Sequence, residues 1–286
     1  MSDQAEKLRN RLRNLSQQQD AAKTVAVASG KGGVGKSNFT INFALKLIQN
    51  GKNVLIIDFD IGMGNIDILL GVSPEKSFID LFNDSTSTIE DIVEQGPNGL
   101  SYISGGSGLR EIFTLNGYKS GYFTQQFTEL VDSYDFILFD MGAGVTKDSL
   151  YFMASADEVI VVTTPEPTSI TDAYAVIKHL MNYVPDLPIR ILTNRIVNQT
   201  SGKETFNRLE KVAMKFMNKS ITHLGSMPDD RKVMSSVLDQ VPFVIREPKC
   251  SASKAVHKIA EDYLHVPSHN RKNSFLSKLK SFVTER

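Results

Sequence analysis

The segment Ser29–Asn38, SGKGGVGKSN, fills the pattern G-x-x-x-x-G-K-[ST] with Gly30, Gly35, Lys36 and Ser37. A glycine-rich loop of this kind turns successive backbone N–H groups toward phosphate oxygens. In such a loop Lys36 meets the β- and γ-phosphates, and the Ser37 hydroxyl takes one position on Mg²⁺. The chemistry is phosphoryl transfer from a nucleoside triphosphate. Lys31 is surplus to the pattern, and Gly32 and Gly33 beside it remove neighbouring side chains. One use for a second lysine is to reach the phosphates of a facing subunit, where it would act like an arginine finger. Two more segments carry carboxylates suited to the same reaction. DFDIGMGNID places Asp58 and Asp60 one residue apart, followed by a loop containing Gly62 and Gly64. One such carboxylate can tie Mg²⁺ through water and another can orient the attacking water. FILFDMGAG ends four apolar residues in Asp140, a second residue predicted to reach Mg²⁺ through water, with Gly142–Gly144 as a mobile switch.

These groups need a scaffold that ends several strands at one edge, and the chain supplies it. Near-continuous apolar runs predict strands at Thr24–Ser29, Asn53–Asp58, Leu100–Ser104, Asp135–Asp140, Glu158–Thr163, Pro188–Asn194 and His223–Met227. Their lack of polar alternation marks strands covered on both faces, hence a parallel sheet. Helical runs fall between them: Gly35–Gln49, Gly121–Val131, Lys147–Ala154, Ser169–Asn182, Lys203–Asn218 and Ala252–Tyr263. The expected fold is α/β, doubly wound, with a mostly parallel sheet, helices on both faces and sites at the carboxyl ends of strands. One domain is expected over 23–264, with appendages at 1–20 and 265–286.

The phosphate loop resembles the deviant Walker A loop of the MinD/ParA family of ATPases, K-G-G-x-G-K-[ST], a branch of the SIMIBI P-loop NTPases. The resemblance extends over nearly the whole body. It implies an ATP-dependent homodimer with slow, regulated ATP hydrolysis, in which Lys31 contacts the partner's nucleotide. Gly30–Asn38 (with Gly32, Gly33, Val34, Gly35, Lys36 and Ser37 between) would hold the phosphates. On the same match Asp60 orients the attacking water, Asp58 lies in the outer shell of Mg²⁺, and Ser37 and Asp140 complete the metal site. The family usually reads D-x-P-A-G after the Walker B strand, and this chain has Gly142 in place of the proline. TNR and SMPDD resemble the adenine-side segments, so Asn194, Arg195, Pro228 and Asp229 are expected around the base, Asn194 through a base-edge hydrogen bond.

Two features separate branches of that family. The last run, SFLSKLKSFVTER, sets Phe275, Leu276, Leu279, Phe282 and Val283 on one helical face, flanked by Lys278 and Lys280. Such a helix can sink its apolar side into an anionic membrane while its lysines reach lipid phosphates. Each buried apolar residue contributes roughly 1.5–3 kcal/mol, and each cation about 1 kcal/mol. So short a helix is marginal alone, so one tail binds weakly, and two on a dimer gain about 10²–10⁴ in avidity. The polar stretch SHNRKN before it points to a tether. The leader SDQAEKLRNRLRNL has a thin apolar stripe that folds only on a partner. Its DQAEKLR resembles the activator motif of the FlhG family of MinD-like flagellar regulators. That resemblance implies stimulation of the GTPase FlhF through Asp3, Gln4, Ala5, Leu8 and Arg9, with flagellar basal-body C-ring proteins as further partners.

Composition bounds the alternatives. With 286 residues, 41% apolar and a formal net charge of zero, the chain can build a large core and carries no global field toward nucleic acid. A ParA-type partition role and specific DNA binding are therefore not expected. A septum-site MinD is the nearer alternative, disfavoured by the leader. A single cysteine, Cys250, leaves no C-x-x-C pair for an iron–sulfur carrier. No signal peptide or membrane span is read, so the expected location is cytoplasmic, peripheral to the membrane in the ATP-bound dimer.

Overall fold

The structure, a computed structural model, describes residues 21–60, 65–77, 80–83, 87–105, 117–266 and 275–284. In chain order the elements are β1 (Lys23–Ala28), α1 (Lys36–Gln49), β2 (Val54–Phe59), α2 (Ile66–Leu70), α3 (Asp80–Asn83), β3 (Glu94–Gln95), β4 (Ser101–Ile103) and α4 (Gly117–Ser133). There follow β5 (Phe136–Met141), α5 (Lys147–Ser155), β6 (Glu158–Thr163), α6 (Pro167–Tyr183), β7 (Ile189–Ile196) and α7 (Gln199–Met217). The last are β8 (Thr222–Pro228), α8 (Arg231–Leu238), α9 (Phe243–Arg246), α10 (Ser251–Leu264) and α11 (Phe275–Thr284).

The described strands form one sheet in the order β3-β4-β2-β5-β1-β6-β7-β8, with only β3 antiparallel to its neighbour. Every residue of β2, β5 and β6 is buried, as strands covered on both faces must be. One layer of core contains Phe127 of α4, Leu150 of α5, Ala173 of α6 and Leu209 of α7. The other contains Phe39 and Phe43 of α1, Phe243 of α9 and Val256 of α10. This is a doubly wound α/β architecture with a mostly parallel sheet.

Register decides where the chemistry collects. Asp58 near the end of β2 pairs in register with Asp140 of β5, and Val27 of β1 lies opposite Asp140 on the other side. Three strands therefore end together, and the loop from β1 to α1 passes over that edge.

The sequence pattern predicts β6 at both ends and the other long strands to within two residues. It places no strand at Glu94–Gln95, which is too short to have a period, and no helix at Arg231–Leu238. The latter is capped by Asp230, whose side chain accepts from the Lys232 N–H at 2.9 Å. Helix α7 starts at Gln199, four residues before the expected Lys203. Asn198 caps it there, accepting from the Ser201 N–H at 2.8 Å.

The tail departs from the tether expectation. Helix α11 lies on the domain with Phe275 and Leu279 each 3% exposed. The Phe275 ring is 5.0 Å from Phe127, 5.1 Å from Phe139 and 5.0 Å from Phe152. Leu276 packs at the margin of the same core. Phe282 stacks on Tyr151 of α5 at 5.2 Å. Lys278 donates to the Ala156 carbonyl at 3.3 Å, and Lys280 is exposed. A stripe of Phe and Leu is satisfied by any apolar surface, and this one meets a nest of aromatic rings within the same chain. The Val283 side chain, the leader residues Asp3, Gln4, Ala5, Leu8 and Arg9, and the glycines Gly62 and Gly64 lie outside the described residues.

Candidate functional site

The β1–α1 loop is anchored by Val34, which is 2% exposed and packs into the α1 side of the core. Gly35 has φ of 90°, a left-handed conformation that favours glycine. A Cβ there would also fall 2.3 Å from Asn194 Nδ2. The open backbone lets α1 begin directly at Lys36, with no acidic residue in its first turn. That helix N-terminus is suited to an anion.

Lys36 is 6% exposed, and its ammonium lies 3.0 Å from Asp140 Oδ1. Ser37 Oγ donates to Asp140 Oδ2 at 2.5 Å. Thr40, one turn further along α1, donates to Asp140 Oδ1 at 2.9 Å. Asp140 is thus held by three groups of one helix, and the loop and the Walker B strand are tied into one unit. Thr40 was not anticipated from the motif. Its signal is the four-residue spacing from Lys36, which puts both on one helical face.

Asp58 is 1% exposed and accepts from the backbone N–H groups of Asp60, Asn65 and Ile66 at 2.9, 3.1 and 3.4 Å. Burial, and then the neighbouring Asp140 charge, push its carboxyl up to about 7. Burial also raises Asp60, with Lys36 opposing the rise. Asp60 lies over the second glycine switch: a Cβ at Gly142 would sit 3.3 Å from Asp60 Oδ1. Three carboxylates thus gather near one ammonium. A divalent cation with phosphate and water ligands fits this donor set, because the Ser37 hydroxyl and the in-register Asp58 and Asp140 carboxylates offer it hard oxygen ligands. Ser37, Asp58 and Asp140 are the residues that would hold Mg²⁺, directly or through water.

Beyond Gly35 a cavity of about 310 Å³ opens, lined among others by Asn38, Asn194, Arg195, Pro228, Asp229 and Met234. All four residues expected around the base therefore border one space beside the phosphate loop. Asn194 has a further job there. Its Nδ2 donates to the Val34 carbonyl at 2.8 Å, and its Oδ1 accepts from the Arg195 N–H at 2.9 Å. It fastens the phosphate loop to the end of β7, with one amide hydrogen left for a base.

Lys31 does not point into its own loop. Its ammonium lies 2.5 Å from Glu166 Oε2 and donates to Thr168 Oγ1 at 3.2 Å, both at the start of α6. Gly32 and Gly33 beside it are exposed. Neither Glu166 nor Thr168 carried a signal in the sequence, since PEPTS reads only as a helix start.

Similarity to known proteins agrees with this geometry. The family description "ParA: NUBPL iron-transfer P-loop NTPase" matches residues 20–264. The chain is 33% identical over 249 residues to the antiactivator FleN of Pseudomonas aeruginosa, covering 86% of this chain and 89% of that protein. It is 30% identical over 298 residues to the flagellum site-determining protein YlxH of Helicobacter pylori, covering 98% and 99%. Among solved structures, the cell division ATPase MinD of Pyrococcus furiosus superposes with a TM-score of 0.68 at 25% identity, covering 85% of this chain and 98% of that one.

Proposed function

The chain belongs to the MinD/ParA family of P-loop ATPases, and from that premise we propose that it is an ATP-switched homodimer that carries its C-terminal helix to an anionic membrane and there regulates flagellar number and placement. The flagellar part rests on similarity to the site-determining YlxH, joined to the DQAEKLR leader. In this reading the leader engages FlhF through Asp3, Gln4, Ala5, Leu8 and Arg9 and stimulates its GTPase, with C-ring proteins as further partners. No specific DNA binding is part of the reading, and the protein works in the cytoplasm until the dimer reaches the membrane.

The ATPase step follows from the site. The Gly30–Asn38 loop and Lys36 bind and orient the triphosphate, and Asn194 keeps that loop in place. Asn194, Arg195, Pro228 and Asp229 surround the adenine. Asp60 accepts a hydrogen bond from the attacking water and aims it at the γ-phosphate. Lys31 of the facing subunit stabilises the charge that develops there. Ser37, Asp58 and Asp140 would hold Mg²⁺, directly or through water, and the ion would supply positive charge to the triphosphate. The apolar rim beside the nucleotide cavity supports a face for the second copy: Met234 is 66% and Val197 88% exposed.

One observation carries the switch: the tail rests on the nucleotide machinery itself. Phe275 packs on Phe139, the residue before Asp140. The β5–α5 turn contains Gly142–Gly144 and leads straight to Tyr151 and Phe152, which also hold the tail. A shift of that turn with nucleotide state moves two walls of the berth, and the freed apolar face then meets lipid as Phe275, Leu276, Leu279, Phe282 and Val283, with Lys278 and Lys280 at the headgroups. Co-sedimentation with anionic liposomes in ATP, ADP and no nucleotide tests this. Binding that rises only with ATP supports the reading; equal binding in all three contradicts it.

A further inference from the structure

We propose that Glu166 is the positioning residue for Lys31: it clasps that lysine within its own subunit until a second copy arrives, and so sets how readily the dimer forms. The inference rests on the dimer reading above.

The clasp is built, not incidental. Gly30, next to Lys31, lies so close to α6 that a Cβ on it would fall 2.2 Å from the Asp172 carbonyl carbon. Backbone packing therefore fixes the loop against α6, and Lys31 emerges beside the first turn of that helix. Glu166 occupies the N-cap position of α6, followed by Pro167, yet makes no capping hydrogen bond. Its carboxylate turns to the Lys31 ammonium at 2.5 Å instead, with Thr168 Oγ1 at 3.2 Å as the second acceptor. The hydrogen bond from Lys31 and its charge hold the Glu166 carboxyl below its ordinary range, with a smaller contribution from Arg195. Arg195 borders the cavity beside the phosphate loop, so its charge also reaches Glu166.

Lys31 cannot hold Glu166 and reach across a dimer at once. Each association event opens two clasps, one per subunit. Both side chains are partly exposed, 32% for Lys31 and 62% for Glu166. Exposed pairs are weak and screened by salt, which gives about 1.5- to 5-fold per clasp and about 2- to 30-fold on the dimer constant. An effect of that size tunes a switch without locking it.

The test compares full-length wild type, Glu166→Gln and Glu166→Asp by sedimentation velocity in Mg²⁺ and a non-hydrolysable ATP analogue. ADP affinity and thermal midpoint are measured in parallel, because a merely structural role would move them. The expected result is a dimer about 2- to 30-fold tighter for Glu166→Gln, with ADP affinity and midpoint unchanged and the gain shrinking at high salt. Glu166→Asp, which keeps the charge on a shorter arm, falls between the two. A Glu166→Gln dimer equal to or weaker than wild type overturns the clasp. A wild type that never dimerises overturns the underlying dimer reading instead, and is told apart by the wild-type trace alone.

Discussion

Replacing Tyr151 by alanine removes one wall of the tail's berth and leaves the tail intact. Its ring stacks on Phe282 with centroids 5.2 Å apart and planes inclined by 12°. Such an aromatic pair contributes about 0.5–1.5 kcal/mol beyond area burial, and the half-buried ring surface adds about 1 kcal/mol. The loss of about 1.5–2.5 kcal/mol lowers the docking constant about 10- to 70-fold. Phe275 keeps its nest of Phe127, Phe139 and Phe152, so the tail is loosened, not expelled. Tyr151→Ala should therefore bind anionic liposomes measurably in ADP, where wild type is expected to bind little, and the two should converge in ATP. A variant lacking residues 267–286 sets the baseline, and a thermal melt checks that the body is folded. Equal ADP-state binding by Tyr151→Ala and wild type would refute the idea that the berth competes with the membrane.

Other perturbations probe the site. Thr40→Val keeps the shape of a fully buried side chain and deletes its hydrogen bond to Asp140. The loss of a bond to a charged group, about 1.5–3 kcal/mol, should lower the thermal midpoint by about 3–10 °C; a midpoint within experimental error of wild type would show that Thr40 is idle. Asp60→Ala should retain ATP binding while phosphate release falls about 10²- to 10⁴-fold, leaving dimers accumulated on liposomes; rapid release would remove Asp60 from the water-orienting role. Deleting residues 1–20 should abolish stimulation of FlhF GTPase activity and spare the chain's own ATPase, and retained stimulation would end that partner assignment.

Much of this was legible in the sequence, for definable reasons. Strands such as Glu158–Thr163 are buried on both faces, so burial writes itself as an uninterrupted apolar run. The phosphate loop is legible because its glycines and lysine answer to the ligand, not to the rest of the fold. What stayed hidden depends on long-range contact. Glu166 meets Lys31 across 135 positions, and Thr40 meets Asp140 across 100. Nothing local distinguishes Glu166 from an ordinary helix start, and Thr40 is marked only by its four-residue spacing from Lys36. Asn194 was read as a base contact, and its amide is also the fastener of the Val34 carbonyl. Helix α8 is not legible because it spans only eight residues, too short a window for its one apolar face (Val233, Met234, Val237 and Leu238) to stand out. In the tail the pattern fixed an amphipathic helix, while the choice between lipid and protein as its apolar partner belongs to the geometry of α5 and β5.

Everything proposed for the switch requires two copies to close over their nucleotides through Lys31. Sedimentation velocity of wild type, Lys31→Ala and Asp60→Ala in Mg·ATP and in Mg·ADP tests it most directly. Dimers of wild type and Asp60→Ala are expected in ATP only, those of Asp60→Ala the longer-lived, with Lys31→Ala a monomer that still binds ATP. An Asp60→Ala protein that remains monomeric in saturating Mg·ATP, or a Lys31→Ala protein that dimerises as well as wild type, would contradict it.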